Sequence, residues 1–421
     1  MVVEKTHKPD YVLSATVGAL VAFGLVMIYS ASFVEGYNLH NNQYYYLLRQ
    51  MVGATIGTIG LLVAQRIDYR LWRTYSVHLM IGCLALLVLV LILPASMTEV
   101  NNARSWIRLG EGGVFGLFSI QPAELAKLIM VIYFADWLSR RSEKVGNVSY
   151  GLIPFAVMLG LVCGLVMLQP DLGTTVVLVM IGGAIYFAAG ARVWHVAGAL
   201  GLAALAFWFL VSVVGWRNAR ILAFQDPEKY YNTFGFQPTH ALYALGSGGF
   251  FGQGLGQARQ KFQWLPQAHT DTIYAIIGEE LGLLGTFAVL VAFALIAYRG
   301  YRIAGRAPNP FAALVAVGIT SWLVLQALLN LGVTTSLVPF TGLTLPFISY
   351  GSTSLYTSMV AMGVLLNISK HTAQYQPEEM SDGPRTKRRP KLAFLDHLAV
   401  WRRHGRARLP SFGRSRRLRR R

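Results

Sequence analysis

The chain has 421 residues, of which 54% are hydrophobic and only 13% charged, with a mean hydropathy of +0.46. That balance excludes an ordinary water-soluble domain, in which about a quarter of residues are charged. The formal net charge of +18 is largely local: residues 371–421 hold 13 Arg and 2 Lys against 2 Glu and 2 Asp, leaving +11 in the tail.

Apolar runs of about 18 residues or more recur over positions 1–369, as bilayer-crossing helices require; a transmembrane barrel would show short alternating segments instead. The predicted fold class is an all-α polytopic membrane protein with about ten transmembrane helices. The spans fall near 12–32, 47–65, 75–95, 122–138, 151–168, 173–190, 194–214, 274–298, 310–336 and 353–369. The first run is too long for a signal-peptide core and reads as an uncleaved anchor. A membrane domain over 1–369 is thus followed by a basic, disordered tail over 370–421. Within that tail, residues 392–404 have the pattern of a short amphipathic surface helix.

Lys and Arg set the orientation. Arg66, Arg70 and Arg73, then Arg140, Arg141 and Lys144, then Arg192, then Arg299, Arg302 and Arg306 occupy alternate loops, and the tail joins them. The positive-inside rule then puts both termini in the cytoplasm of a cell membrane, with Arg49 as the one awkward cation. The loop of about 215–273, between helices 7 and 8, lies outside. The tail suits anionic membrane lipid. Nucleic acid is not an expected partner, because no stacking aromatics interleave the charges. Cys83 and Cys163 stand in apolar spans and form no disulfide or zinc pattern.

Four polar interruptions fall on the outer side. The first holds Arg104 and Arg108, then Gln121–Lys127 (QPAELAK), where Pro122 suits a first helical turn and Glu124 and Lys127 share a face. They read either as a structural ion pair or as the lining of a cavity for an anionic substrate. The second is Gln169–Thr174 (QPDLGT), in which Asp171 reads as a helix cap. The third is the long loop, rich in aromatics, with glycines over 246–256 that allow an anion nest and with Arg217, Arg220, Arg259 and Lys261 nearby as solvated charge or phosphate ligands. The fourth, Pro339–Ser354, has the prolines and glycines of a re-entrant loop, which must be packed in protein or line a wet cavity.

The stretch 268–282, AHTDTIYAIIGEELG, carries three acids at the head of an apolar run. With a helix start near Asp271, Glu279 lies about 80° and Glu280 about 180° around the helix from it. The acids therefore separate. Asp271 stands at the outer mouth, as a cap or as a reactive group, with Thr270 and Thr272 as rival caps. Glu279 and Glu280 need partners inside the bundle and have a structural role. His269, a loop histidine, is expected to be exposed.

Several stretches form an ordered set: Ile28–Ser32 (IYSAS), Ala103–Ile107 (ARSWI), QPAELAK, QPDLGT, Gly246–Gly249 (GSGG), Leu265–Asp271 (LPQAHTD), Gly278–Gly282 (GEELG) and Leu345–Gly351 (LPFISYG). Across about 28–369 the chain resembles the SEDS family of bacterial membrane proteins, FtsW and RodA, and the FtsW division type more than the RodA elongation type. The resemblance implies a peptidoglycan glycosyltransferase that polymerises lipid II at the outer membrane face. It makes Asp271 the essential aspartate, a general base for the acceptor sugar hydroxyl. Arg104, Arg108, Glu124, Lys127, Arg217, Arg220, Lys261, His269 and Ser349 become substrate-binding candidates. A divalent cation, Mg²⁺ or Mn²⁺, is the one cofactor expected. A class B penicillin-binding transpeptidase and divisome proteins are the implied partners. Gln267 stands where the family usually has Glu, which counts against a second acid or metal ligand there. Thr272 and Tyr274 replace Phe residues, and Ser352–Ser354 replaces a Gly-Ser-Ser run. A precursor flippase and a non-catalytic scaffold for a transpeptidase are the alternatives from other classes.

Overall fold

The computed structural model describes residues 7–100, 103–108, 119–195, 197–198, 201 and 222–372. Helix α1 (Tyr11–His40) starts where Asp10 Oδ1 accepts the Leu13 amide at 3.1 Å. It is followed by α2 (Tyr45–Arg66), the short α3 (Tyr69–Thr74), α4 (Ser76–Ile92) and α5 (Ala95–Thr98). Two two-residue ladders then form, β1 (Glu99–Val100) with β2 (Ala103–Arg104) and β3 (Ile107–Arg108) with β4 (Ser119–Ile120), both antiparallel. After them come α6 (Pro122–Ser139), a π-turn over Val148–Leu152 running into α7 (Ile153–Met167), and α8 (Leu172–Ala188). The chain closes with α9 (Phe236–Gly248), α10 (Ile273–Gly305), α11 (Pro310–Thr334) and α12 (Ser352–Lys370).

Among the described residues five helices are long and apolar enough to cross a membrane: α1, α2, the π-turn with α7, α10 and α11. α4 and α8 are shorter apolar helices, and α6 and α12 match expected spans that carry more polar groups. The span expected at 194–214 lies almost wholly outside the described residues, as does the tail from 373.

Helix α11 is the axis. Of its most apolar window 72% is buried, against 28–33% in the other four long helices, so protein surrounds it while they face lipid. It packs on α6, α8, α10 and α12. α2 lies along α12 through glycines. A side chain at Gly53 would stand 3.1 Å from Ser352 Cβ, and one at Gly57 would stand 2.6 Å from Met359 Sδ. Small residues at such spacing let helices approach closely in a bilayer. The two ends of the described chain meet on one side: the His7 amide donates to Lys370 O at 2.9 Å, and Arg299 holds both Asp10 oxygens at 2.8 Å. Asp271 lies at the other end of α10.

The outer loop contains a helix of its own, α9. One expectation needs correcting. The 274–298 span is not one straight helix. It breaks at Gly282, whose φ of 66° and ψ of −159° are non-helical. Such a break frees carbonyls, which must find partners inside a membrane protein. The glycine-rich segment supplies them: the Gln253 and Gly254 amides donate to the Glu279 and Glu280 carbonyls at 2.9 and 3.0 Å, and Leu283 N donates to Gly249 O at 2.9 Å. Two amides of the segment that could have formed an anion nest, those of Gln253 and Gly254, are thus committed to α10.

Candidate active site

The turn Leu265–Thr272 delivers Asp271. Thr272, not Asp271, is the N-cap residue of α10, and no side chain caps that helix. Thr272 Oγ1 instead donates to the Pro266 and Gln267 carbonyls at 3.1 and 2.9 Å. Asp271 is 7% exposed. Thr270 Oγ1 lies 3.1 Å from its Oδ1, 2.8 Å from Gln267 Oε1 and 3.1 Å from Gln267 O, so three acceptors compete for one hydroxyl proton. Asn330 Nδ2 on α11 donates to the Asp271 carbonyl at 2.8 Å.

Facing this turn is the irregular segment between α11 and α12. Residues Leu345–Ser349 are buried, and the segment is packed in protein as the re-entrant reading requires. Ser349 Oγ accepts the Leu345 amide at 2.7 Å, so this hydroxyl shapes the loop. Gln50 on α2 brackets it, donating to Ser349 O at 3.1 Å and accepting from Gly351 N at 3.2 Å. The Tyr350 amide donates to His269 O at 2.9 Å, which ties the loop to the turn. At Gly342 a methyl group would stand 3.8 Å from Asp271 Oδ2, so the loop backbone borders the carboxylate.

His269 is 3% exposed, not the open loop histidine expected. Its ring packs between Tyr46 and Tyr350, with centroids 4.3 and 5.3 Å away, and its Nδ1 lies 3.1 Å from Glu35 Oε2. Burial follows from the aromatic walls on α2 and on the re-entrant segment, which sequence spacing does not reveal. Glu35 was not singled out in the sequence. Its signal was an acid just beyond the first apolar run.

Glu124 and Lys127 sit deep in the bundle. Lys127 is fully enclosed, with Nζ 2.7 Å from Glu124 Oε1 and 2.9 Å from Gln326 Oε1, and it lies 5.2 Å from the Trp322 ring centroid. Glu124 Oε2 is buried with no hydrogen-bond partner among the described residues. Gln326 Nε2 in turn donates to Thr344 O at 2.9 Å, so a polar chain runs from this ion pair to the re-entrant segment. Asp171 caps α8 through Thr174 N at 2.9 Å and accepts from Gln121 Nε2 at 3.1 Å. Desolvation raises the Asp171 pKa above its ordinary value, against the pull of the Thr174 amide.

Lys261, another candidate, is committed elsewhere. Lys261 is fully enclosed and lies 2.8 Å from Glu280 Oε1. Glu279 accepts the Arg259 amide at 2.8 Å and the Gln260 amide at 3.3 Å. Both glutamates thus anchor the outer loop on α10. Arg104 is exposed on β2, and Arg108 stands on β3. Arg217 and Arg220 lie outside the described residues. Asn330 and Gln326 were also missed in the sequence. Their signal was two carboxamides one turn apart in an otherwise apolar span. Among the described residues no three His, Cys, Asp or Glu side chains gather as a metal cage.

Residues 11–374 match the model of the cell cycle protein family that comprises FtsW, RodA and SpoVE. The chain is 40% identical over 366 residues to a probable peptidoglycan glycosyltransferase FtsW of Geobacter metallireducens, covering 87% of this chain and 96% of that one. It is 42% identical over 373 residues to stage V sporulation protein E of Bacillus subtilis, covering 87% and 99%. One similar solved structure comes from a peptidoglycan synthase complex that coordinates polymerization and crosslinking, with a TM-score of 0.71, 27% identity and coverage of 87% and 99%. Another is the rod shape determining protein RodA of Thermus thermophilus, with a TM-score of 0.63, 28% identity and coverage of 87% and 98%. On this match across nearly all of its described helices, the chain belongs to the FtsW/RodA/SpoVE family.

Proposed function

We propose that the chain is a peptidoglycan glycosyltransferase of the division type, which joins lipid II units into glycan at the outer face of the bacterial cytoplasmic membrane. The observation that carries this reading is the placement of Asp271: a largely buried carboxylate at the head of α10, bordered by the backbone of the re-entrant segment. In the reaction, Asp271 takes the proton from the acceptor sugar hydroxyl while that oxygen bonds to the donor's anomeric carbon. The anomeric C–O bond breaks, and its electron pair leaves with the undecaprenyl pyrophosphate. General-base catalysis of this kind contributes roughly 10²–10⁴-fold.

A divalent cation suits the leaving group. Among the described residues no three His, Cys, Asp or Glu gather, so such an ion would be held chiefly by the substrate's pyrophosphate oxygens and water, leaving Asp271 as the base. Such an ion stabilises the charge that develops on the leaving oxygen. The partner is a class B transpeptidase, a reading supported by the similar chain from a peptidoglycan synthase complex. Both ends of the described bundle meet on one side, which we read as cytoplasmic from the Lys and Arg of the loops.

The test is polymerisation of lipid II by the purified protein, with its transpeptidase added if needed. Polymer that disappears in Asp271→Ala and Asp271→Asn supports the assignment. A well-folded Asp271→Ala with full activity would sink it. Precursor translocation in liposomes without polymer would favour a flippase, and absence of both activities a scaffold.

A further inference from the structure

Two buried carboxamides stand one turn apart on α11, and each grips the re-entrant segment. Gln326 Nε2 donates to Thr344 O, and Asn330 Nδ2 donates to Leu343 O at 2.7 Å. They hold consecutive carbonyls because residues i and i+4 share a helix face. Asn330 does one thing more: its second N–H reaches the Asp271 carbonyl at 2.8 Å. The orientation of this amide follows from its partners. Reversed, its oxygen would face two carbonyl oxygens, so the NH₂ group belongs where it is. The side chain is fully buried, and its Oδ1 has no hydrogen-bond partner among the described residues.

The bridge joins the two pieces of backbone that border the reactive carboxylate. On one side is Asp271 itself. On the other is Leu343, next to Gly342, whose Cβ position lies 3.8 Å from Asp271 Oδ2. Neither piece is regular secondary structure, so neither is held in place by a helix ladder of its own. We infer that Asn330 is a positioning residue, which sets the Asp271 carboxylate against the re-entrant segment and so aligns it with the acceptor hydroxyl. The inference rests on the proposed reaction. Asn330 touches no reacting atom. Its effect reaches the chemistry through Asp271, where a displacement near 1 Å costs on the order of 100-fold in rate.

The test uses the full chain in detergent with lipid II. Asn330→Leu keeps the branched shape and removes both donors. Asn330→Asp keeps the shape and replaces NH₂ by an acceptor. The expected result is a kcat at least tenfold lower with KM within twofold of wild type, in protein that stays monodisperse. A merely structural role would not separate kcat from KM in folded protein. Folded Asn330→Leu or Asn330→Asp with wild-type kcat overturns the inference. Failure of both variants to yield folded protein overturns it as well, since Asn330 would then serve the fold. Wild-type protein that makes no polymer refutes the reaction, whereas active wild type matched by active variants refutes this role alone.

Discussion

Lys261 Nζ lies 2.8 Å from Glu280 Oε1, and neither side chain is open to solvent. Ser30 on α1 donates to Glu280 at 2.7 Å, and Lys261 also reaches the Gly256 carbonyl at 2.7 Å. One buried carboxylate thus fastens the first helix, the outer loop and α10 together. Removing one partner of such a pair strands a charge, at a cost of about 3–5 kcal/mol. We expect Lys261→Met to lower the thermal midpoint sharply and Lys261→Met with Glu280→Gln to recover part of the loss. A Lys261→Met protein as stable as wild type in detergent would show that the pair does not hold the loop.

Asp271→Glu keeps the charge and moves it by one methylene. Because Asn330 fixes the backbone at this residue, the carboxylate cannot retreat to compensate. Polymerisation of lipid II should fall by about 100-fold, the scale of a 1 Å misplacement, with the fold intact. Wild-type turnover in this variant would mean that the position tolerates a displaced base.

Gly282→Ala puts a side chain on a residue with φ of 66°, where its Cβ would meet the Gly252 amide and stand 2.6 Å from Phe250 O. The strain alone is on the order of 1–3 kcal/mol, and the collision would push the glycine-rich segment off α10. Limited proteolysis should then cut within 249–261 faster than in wild type. Equal protection would indicate that the break needs no glycine.

At the opposite end, Asp10 both caps α1 and pairs with Arg299. Asp10→Asn retains the capping oxygen and loses the ion pair, which is partly exposed and worth about 0.2–1 kcal/mol. Asp10→Ala loses the cap too, about 1 kcal/mol more. The thermal midpoints should rank wild type, Asn, Ala. An Asn variant no better than Ala would assign the whole effect to the salt bridge.

Much of this was legible without coordinates. Apolar runs mark α1, α2, α4, α7, α8, α10 and α11 because lipid demands continuous hydrophobic helix. Pro122 and Asp171 announce helix starts through chemistry that acts within one turn. Glu279 and Glu280 are recognisable as buried acids in need of partners. Their partners are not, because Lys261 and the amides of Arg259 and Gln260 reach them only when the outer loop folds back at Gly282. His269 looks like any loop histidine until Tyr46 and Tyr350 close around it. Asn330 stands one turn from Gln326 in a mostly apolar run, and nothing local says what either grips.

The sequence by itself determined that this chain lives in a membrane, which side its charges favour and which aspartate stands at the mouth of a span. Those properties depend on hydropathy, charge count and helical period, all local quantities. Only the tertiary structure decided that Asp271 is not a cap, that the glycine-rich segment mends a broken helix, and that Asn330 bridges the aspartate to the re-entrant segment. Each of these is a hydrogen bond between residues far apart in the chain. In a bundle without bulk water such bonds are chosen by which buried groups are left to satisfy.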